Sequence, residues 1–302
     1  MKFKNHLIYY SAQLIIAILL FLPMGWVGAL GRMFGGLVFA LAKSERKKTL
    51  DSISAAYPTQ LSEGEKKRLA KAVWVRLGQN LFEIIRQLNW TREEITSQVA
   101  RVQGLEHFEG ALKRGKGLFV VTAHLGNWEL LGGYLGTQGK GSALAQNLYD
   151  PRFDDLVNWF RSEKLGATLM IKRGLALRGI LDALKEGQFV LALCDQDSGN
   201  DGIFVPFFGK PAWTQSGVAR IARKTGAALV PAFVVRGPDG KFELHVEKEI
   251  TVSQTPDKEK DILETVRLYT NVIETYVRAY PDQWMWMHER WKTKPQKDDW
   301  PF

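Results

Sequence analysis

The length, composition and charge of the chain set the first limits on its function. Its 302 residues, 45% of them hydrophobic, are enough for one large domain with an appendage, or for two small domains. The net charge of +9 favours an anionic partner: a phospholipid surface, a phosphorylated substrate, an acidic carrier protein or nucleic acid. The single cysteine, Cys194, excludes an internal disulfide framework. Because it closes the apolar run "FVLALC", we expect a buried, inert thiol.

The amino-terminal segment is uncharged over residues 7–31, a stretch that as a helix can reach across a hydrocarbon core of about 30 Å. Pro23 and Gly25 interrupt it, which also allows a kinked span or a helix lying in the interface. The rival interpretations are a buried core helix and a signal peptide cleaved near Ala29. Apolar character resumes at 33–42 and a polar stripe is lacking, so we predict a membrane anchor at 1–42 ahead of a domain at 43–302.

The charges that flank this segment predict its orientation. Basic residues are more frequent on its carboxyl-terminal side, which places the bulk of the chain in the cytoplasm; they are Lys43, Arg46, Lys47 and Lys48, against Lys2 and Lys4.

The rest of the chain alternates apolar runs with amphipathic segments. Ser62 and Glu65 form a capping box at the start of a helix over 62–88, and further helices are predicted at 152–165, 176–187, 215–226 and 257–279. Strands are predicted at 117–123, 168–171, 188–194, 228–236 and 241–250. The last one alternates polar and apolar residues, so we expect it half exposed near an edge, whereas the others look covered on both faces. This order predicts an α/β fold with a mixed, mostly parallel sheet flanked by helices.

The stretch "TAHLGNWEL" (122–130) is a candidate catalytic motif. Side chains five apart in one helix point about 140° away from each other, so His124 and Glu129 can meet only if His124 precedes the helix. The sequence predicts this: a strand, a turn, Asn127 as N-cap and Glu129 in the first helical turn. His124 would then act as a general base with Glu129 fixing its tautomer. The alternative is a turn histidine followed by a first-turn carboxylate that stabilises the helix.

Other kinds of site have no support in the sequence. There is no glycine-rich phosphate loop and no zinc motif of the H-E-x-x-H or C-x-x-C type, so neither a metal nor a bound cofactor is expected. A nucleic-acid partner is not expected either, since no recognised binding module accompanies the positive charge.

Four ordered blocks, spanning nearly the whole chain, resemble the bacterial lipid A late acyltransferases, the lauroyl/myristoyl transferase family that includes phosphatidylinositol mannoside acyltransferases. That family shares an H-x4-D/E motif and an amino-terminal membrane anchor. The blocks are "GLFVVTAHLGNWELLG", "MIKRGLALRGILDALKEGQFVLALCDQD", "GIFVPFFGKPAWTQSGVARIARKTGAALVP" and "YPDQWMWMHERWKTKP".

The resemblance implies a glycerolipid-acyltransferase-like fold and O-acyl transfer to a hydroxyl of a lipid A precursor. It further implies an acyl carrier protein or coenzyme A thioester as donor, a phosphorylated glycolipid acceptor, and a site among anionic lipids on the cytoplasmic face of the bacterial inner membrane. Acylation of another membrane glycolipid, or a non-catalytic lipid-binding role, are the alternatives.

The same resemblance suggests roles for single residues. His124 and Glu129 would be catalytic, and Arg173 would bind substrate phosphate or the developing oxyanion, with a simple surface charge as the alternative for Arg173. Asp195 and Asp197 of the D-x-D stretch would contact acceptor hydroxyls or basic neighbours, although a capped turn explains them equally well.

Three further residues complete the list of candidate contacts. Asn127 is a candidate substrate contact, although a helix cap is its simpler role. The family's arginine near the acceptor is replaced by Gln146, so Arg161 or Arg152 would have to supply that charge.

Overall fold

The computed structural model describes residues 3–145, 167–172, 176–197, 199 and 201–296, and these form an α/β fold. Its helices, numbered in chain order, are α1 Phe3–Phe21, α2 Met24–Leu41, α3 Lys43–Ala56, α4 Glu63–Gln87, α5 Arg92–Ser97, α6 Leu105–Lys113, α7 Trp128–Gln138, α8 Ala176–Lys185, α9 Gly217–Thr225 and α10 Lys258–Ala279. Its strands are β1 Val99–Gln103, β2 Leu118–Thr122, β3 Gly141–Ala145, β4 Ala167–Lys172, β5 Phe189–Leu193, β6 Gly202–Phe207, β7 Lys210–Gln215, β8 Ala228–Arg236 and β9 Phe242–Val246.

Seven strands form one sheet in the order β1-β9-β8-β2-β5-β3-β4. Five of the six neighbouring pairs are parallel and only β8 with β9 is antiparallel, which confirms the predicted mixed, mostly parallel sheet. Strands β2 and β8 are buried along their whole length, as expected for central strands with helices on both faces. The carboxyl ends of β5, β2 and β8 therefore meet side by side at one edge of the sheet.

Most predicted elements are present within a few residues of their expected bounds. The strand at 228–236 matches β8 at both ends, and the capping box of Ser62 and Glu65 opens α4 with both reciprocal hydrogen bonds. The helix predicted at 152–165 lies outside the described residues.

The prediction for 241–250 was wrong in part. The strand in this region, β9, is next to the edge of the sheet but is largely buried, because β1 pairs along its outer side. Arg101 of β1 donates to the carboxylate of Glu243, so a charged residue that suggested exposure is paired and covered.

Two aromatic-rich segments form one cluster in the core. Strands β6 and β7 make a separate hairpin, and its Phe207 and Phe208 pack against the aromatic rings of the carboxyl-terminal run. Phe207 lies 5.5 Å from Trp284, and Trp284 lies 4.7 Å from Trp286, measured between ring centroids. Core packing thus accounts for these aromatic residues.

The uncharged amino-terminal segment folds as two helices. Helix α1 ends at Phe21, and Pro23 caps a second helix, α2, so the chain breaks where the proline predicted an interruption. Helix α2 packs along α4 at close range: a Cβ at Gly35 would overlap the carbonyl of Trp74, and one at Gly31 would lie 2.6 Å from that of Gly78. By length and composition, α2 is the one described helix that could cross a membrane.

The outer face of these two helices is apolar and exposed. Several large side chains keep half or more of their surface accessible: Tyr10, Leu14, Ile15, Ile18, Phe21, Trp26, Met33, Leu37 and Leu41.

Candidate active site

His124 lies on the turn that joins β2 to α7, as the five-residue spacing required. The turn is held close to β8: the Asn127 amide donates to the carbonyl of Val234 at 3.0 Å, and Gly126 has a φ of +59°. Glycine is needed here, because a Cβ at position 126 would overlap the Val234 carbonyl oxygen as well as straining the backbone. From α4, Asn80 Nδ2 donates to the Gly126 carbonyl at 2.7 Å, so the turn is fixed from two sides.

Asn127 is the N-cap of α7. Its Oδ1 accepts from the Leu130 amide at 2.9 Å, and the residue is fully buried. The amides of Gly126, Asn127 and Leu130 are thus all used within the protein. These three N–H groups cannot hold a substrate oxyanion without breaking existing bonds.

The carboxylate that orients His124 in this structure is Asp195. Its Oδ1 lies 2.9 Å from His124 Nδ1, and its Oδ2 accepts from the His124 backbone amide at 2.9 Å. Asp195 lies two residues after the end of β5, and His124 lies two residues after the end of β2. Because β5 and β2 are parallel neighbours, their carboxyl ends bring the two side chains together. This arrangement fixes the imidazole at Nδ1, while Nε2 makes no hydrogen bond to the residues that the structure describes.

Asp195 is held as an anion inside the protein. Its side chain is 1% exposed, and Trp284 Nε1 donates to Oδ2 at 2.8 Å. Burial raises the pKa of Asp195, but the nearby His124 imidazole and the hydrogen bonds from His124 and Trp284 outweigh it. The net pKa therefore lies below its ordinary value. The three hydrogen bonds that Asp195 accepts stabilise its charge inside the protein, whereas a buried carboxylate without donors would be strongly destabilised.

The carboxyl-terminal run reaches the same turn through its backbone. Leu125 and Trp284 form an isolated antiparallel bridge, the Met285 amide donates to the His124 carbonyl at 3.2 Å, and the Gly126 amide donates to the Gln283 carbonyl at 3.0 Å. The first and the last of the four sequence blocks are therefore one structural unit.

The structure places Asp195, where sequence reasoning expected Glu129, at the Nδ1 nitrogen. Glu129 lies half-buried in the first turn of α7, as predicted. Among the residues that the structure describes, the carboxylate within 4.0 Å of a His124 ring nitrogen is that of Asp195. His124 itself keeps 23% of its side chain exposed and makes an edge contact with the ring of Trp128, 5.3 Å between centroids.

The other predicted substrate contacts divide into two groups. Arg173, Arg161, Arg152 and Gln146 lie outside the described residues. Asp197 is fully buried: its Oδ1 accepts from the Gly199 amide and its Oδ2 from the Thr293 amide, at 3.0 and 2.9 Å. Asp197 thus caps a turn and ties it to the carboxyl-terminal segment, which is the alternative that the sequence left open.

Two residues near the aspartates were not predicted to belong to the site. Arg290 is 1% exposed, its guanidinium donates to Thr214 and to the Trp213 carbonyl, and burial lowers its pKa to about 10 although Asp195 and Asp197 partly offset this. His288 is half-buried, and burial lowers its pKa, although Asp195 and a hydrogen bond from the imidazole to the Asp197 backbone raise it. The sequence feature that could have indicated Arg290 and His288 as part of the site is the basic and aromatic run "WMWMHERW" that contains them.

The expectation of an inert thiol can be compared with the structure. Cys194 is a free, buried cysteine, and burial raises the pKa of its thiol to about 12, so the thiol stays protonated near neutral pH. In the described part of the chain, no group of three or more histidine, cysteine, aspartate or glutamate side chains could hold a metal ion.

Comparison with known proteins identifies the family. A model of the bacterial lipid A biosynthesis acyltransferases matches residues 2–293. The chain belongs to this family. It is similar to the lipid A biosynthesis lauroyltransferase of Escherichia coli (strain K12), at 29% identity over 279 residues that cover 91% of this chain and 88% of the relative.

Two further relatives show the breadth of the likeness. The lipid A biosynthesis palmitoleoyltransferase of the same organism is 28% identical over 91% of this chain and 87% of its own length. A phosphatidylinositol mannoside acyltransferase of Mycobacterium tuberculosis (strain CDC 1551 / Oshkosh) is 24% identical over 69% of this chain and 66% of its own length. As a member of the lipid A biosynthesis acyltransferase family, the protein is an acyltransferase.

Proposed function

We propose that this protein transfers a fatty acyl chain from a thioester donor to a hydroxyl group of a lipid A precursor, with His124 as general base and Asp195 as its orienting carboxylate. The observation that carries the proposal is the Asp195–His124 contact of 2.9 Å at the carboxyl end of two adjacent parallel strands. Open α/β sheets bind their ligands at this edge. Family membership supports the reaction class, and the relatives at 29% and 28% identity support lipid A as the acceptor.

The contact explains how the imidazole would work. Asp195 accepts a hydrogen bond from Nδ1–H, which leaves the lone pair on Nε2 to take the proton of the acceptor hydroxyl. The hydroxyl oxygen attacks the thioester carbonyl, and the C–O bond forms as the C=O π electrons move to oxygen. When the tetrahedral intermediate collapses, the C–S bond breaks and the thiolate receives the proton from His124. The Asp195 anion stabilises the transient imidazolium.

Direct attack by the acceptor is the simpler course. Burial raises the pKa of the thiol of Cys194, the single cysteine of the chain, to about 12, so Cys194 is a poor candidate for a covalent acyl intermediate. One base is then sufficient for both proton transfers.

The donor and the location are also proposals. We infer an acyl carrier protein or coenzyme A thioester as donor, and the net charge of +9 favours such anionic partners. We infer that the exposed apolar side chains of α1 and α2 insert into the cytoplasmic leaflet of the inner membrane. So many large apolar side chains exposed to water would be unfavourable.

The first test replaces the base. Purified His124→Ala should lose transfer by about 10²–10⁴-fold or more while remaining folded and membrane-bound, because positioned proton transfer contributes that much to the rate. The assay measures acyl transfer to a lipid A precursor, with circular dichroism as the control for folding. Transfer at the wild-type rate by the alanine variant would end the general-base assignment.

The second test concerns the acceptor. Mass spectrometry of lipid A from cells with and without the protein should show one secondary acyl chain missing in its absence. If lipid A is unchanged and another glycolipid loses a chain, the acceptor proposed here is wrong, and the acyltransfer chemistry itself still stands.

A further inference from the structure

A cavity of about 500 Å³ lies on the opposite side of the His124 turn from Asp195. Its walls come from α2, α4, the α5–β1 connection and the β8–β9 hairpin. Arg236 at the carboxyl end of β8 forms one wall, and β8 is the other neighbour of β2. Gln79 of α4 also lines it, and the adjacent Asn80 donates to the Gly126 carbonyl of the His124 turn. The cavity is therefore next to the catalytic turn without containing either member of the catalytic pair.

The charged lining of the cavity is mostly positive. Arg236 is buried and pairs with Glu83, whose other carboxylate oxygen accepts from Gln79 at 2.8 Å. Arg32 and Lys241 also line the cavity, both are exposed, and among the described residues neither has a carboxylate within 4.0 Å. Neither cation therefore forms a salt bridge in the described structure, although the charge of Lys241 acts on the nearby Asp239 carboxylate and helps to lower its pKa.

The buried guanidinium retains an unused donor. Arg236 is 9% exposed; its Nη1 donates to the Gly240 carbonyl at 2.7 Å and its Nη2 to Glu83, while in the described structure its Nε has no hydrogen-bond partner. Burial lowers the pKa of Arg236, the Glu83 charge opposes that shift, and Arg76 and Arg32 add to it. An anion near these groups would relieve the repulsion among the cations.

The position of the cavity relates it to the apolar face of α1 and α2. Met24, Gly28 and Arg32 of α2 border it, and Trp26, in the first turn of the same helix, is 68% exposed. Phe21, at the end of α1, is 88% exposed. If those rings enter the acyl-chain boundary of a bilayer, the cavity lies at the level of the lipid head groups.

We propose that this cavity binds the phosphate group of an anionic lipid. Arg32 and Lys241 would supply charge-assisted hydrogen bonds from the rim, and the fixed guanidinium of Arg236 would face the phosphate from within. The lipid carrying the phosphate is either the acceptor glycolipid of the proposed reaction or a phospholipid of the surrounding bilayer. Phosphate recognition is common to both.

The test is a binding measurement that does not depend on catalysis. Full-length protein in neutral detergent is titrated with dihexanoyl phosphatidic acid, and with dihexanoyl phosphatidylcholine as the zwitterionic comparison, by isothermal calorimetry. We expect preference for phosphatidic acid in the wild type and a loss of about 10-fold in affinity in Arg32→Ala/Lys241→Ala, as expected for two lost charge-assisted contacts. Both side chains are exposed, so the variant should fold normally.

The matched control removes the same charge elsewhere. Lys116 and Lys224 are exposed and precede β2 and β8, so they lie at the opposite edge of the sheet. Lys116→Ala/Lys224→Ala should bind phosphatidic acid as the wild type does. No preference for phosphatidic acid in the wild type, or an equal loss in both double variants, would overturn the proposal.

A transfer assay then distinguishes the two sources of phosphate. If the acceptor supplies it, Arg32→Ala/Lys241→Ala should raise KM for the phosphorylated acceptor with kcat unchanged, and should not alter KM for the same acceptor after phosphatase treatment. If the bilayer supplies it, both KM values stay as in the wild type and stimulation by phosphatidylglycerol micelles is lost. Absence of transfer in the wild type would count against the proposed function alone, since the binding titration does not require it.

Discussion

The contacts of His124 fix its orientation at the scale of single residues. Its Nδ1 and its backbone amide each meet a different oxygen of Asp195, and Trp284 donates to the second of these oxygens. With the proton on Nδ1, both oxygens of the carboxylate are acceptors, as in the ionised form that the lowered pKa of Asp195 favours. Asp195 therefore does more than balance the charge of the imidazole, because its two oxygens also fix the position of the His124 ring and backbone.

Asp195→Asn is expected to lower kcat by about 10²–10⁴-fold with little change in KM. Asparagine has one acceptor oxygen. If that oxygen faces the two N–H donors at the Oδ2 position, its NH2 group faces Nδ1 and forces the imidazole proton onto Nε2, the nitrogen that must be free. Steady-state kinetics checks this, with circular dichroism to confirm folding. An unchanged kcat would show that Asp195 serves only to hold the turn.

Glu129→Gln is expected to lower kcat by roughly tenfold, less than Asp195→Asn. With Nδ1 bound to Asp195, we propose that Asp195 fixes the tautomer and that Glu129 acts on the acceptor from the first turn of α7. The same transfer assay compares the two variants. A larger loss in Glu129→Gln than in Asp195→Asn would return Glu129 to the position of principal partner.

The carboxyl-terminal run determines the site at the scale of secondary-structure elements. It contributes a backbone bridge to the His124 turn and an indole to Asp195, and its rings pack against the β6–β7 hairpin. The aromatic residues of the fourth block therefore act by packing and by donating hydrogen bonds. A chain truncated before this run would lose one side of the His124 turn.

Trp284→Phe removes one donor from the buried Asp195 carboxylate and should cost about 1–3 kcal/mol of stability near neutral pH. The pKa of Asp195 is lowered in the folded protein, so its contribution to stability is present above the ordinary value of 3.8 and is lost as pH falls through the lower folded value. Without the hydrogen bond from Trp284, the pKa of Asp195 in the folded protein rises. Asp195 then contributes less stability, and that contribution disappears at a higher pH than in the wild type.

Thermal unfolding between pH 7 and pH 3 measures this effect. We expect the Tm difference between the wild type and Trp284→Phe to shrink as the pH falls below about 4. A difference that stays constant over this range would mean that the variant loses only packing.

The arrangement of charge and apolar surface matters at the scale of the whole molecule. Helices α1 and α2 expose apolar side chains on one face, while α2 is bound to α4 by close backbone packing at Gly31 and Gly35. Helix α2 thus meets the rest of the protein on one side and leaves its large apolar residues on the other. We propose that the molecule binds the membrane through this face, with the catalytic edge and the cationic cavity close by.

Phe21→Ser/Trp26→Ser should reduce membrane binding by about tenfold or more, because each ring removes a large apolar area from water when inserted. Vesicle flotation with lipids containing phosphatidylglycerol measures the bound fraction. The control, Leu177→Ser/Leu268→Ser, alters exposed apolar residues of α8 and α10, which are 60% and 40% exposed. Equal flotation of both double variants and the wild type would rule out this face as the membrane contact.

Local features were predictable because they depend on neighbours in the chain. The capping box of α4, the Asn127 cap of α7 and the bounds of β8 all follow from side chains within a few positions of one another. The spacing of His124 and Glu129 likewise required a turn before the helix. The alternation of polar and apolar residues in β9 gave a wrong prediction of exposure, because the strand that covers its outer edge, β1, lies more than a hundred residues earlier in the chain.

The amino-acid sequence alone therefore determined the α/β class, the family and the turn that carries His124, because periodicity, capping and ordered motifs are local. Only the tertiary structure decided which acid meets the imidazole. Asp195 is 71 residues from His124 and reaches it because β5 pairs with β2, a long-range choice that no short motif records. The same is true of the cavity, whose cations come from α2, β8 and the β8–β9 hairpin and meet only after the sheet and its helices have assembled.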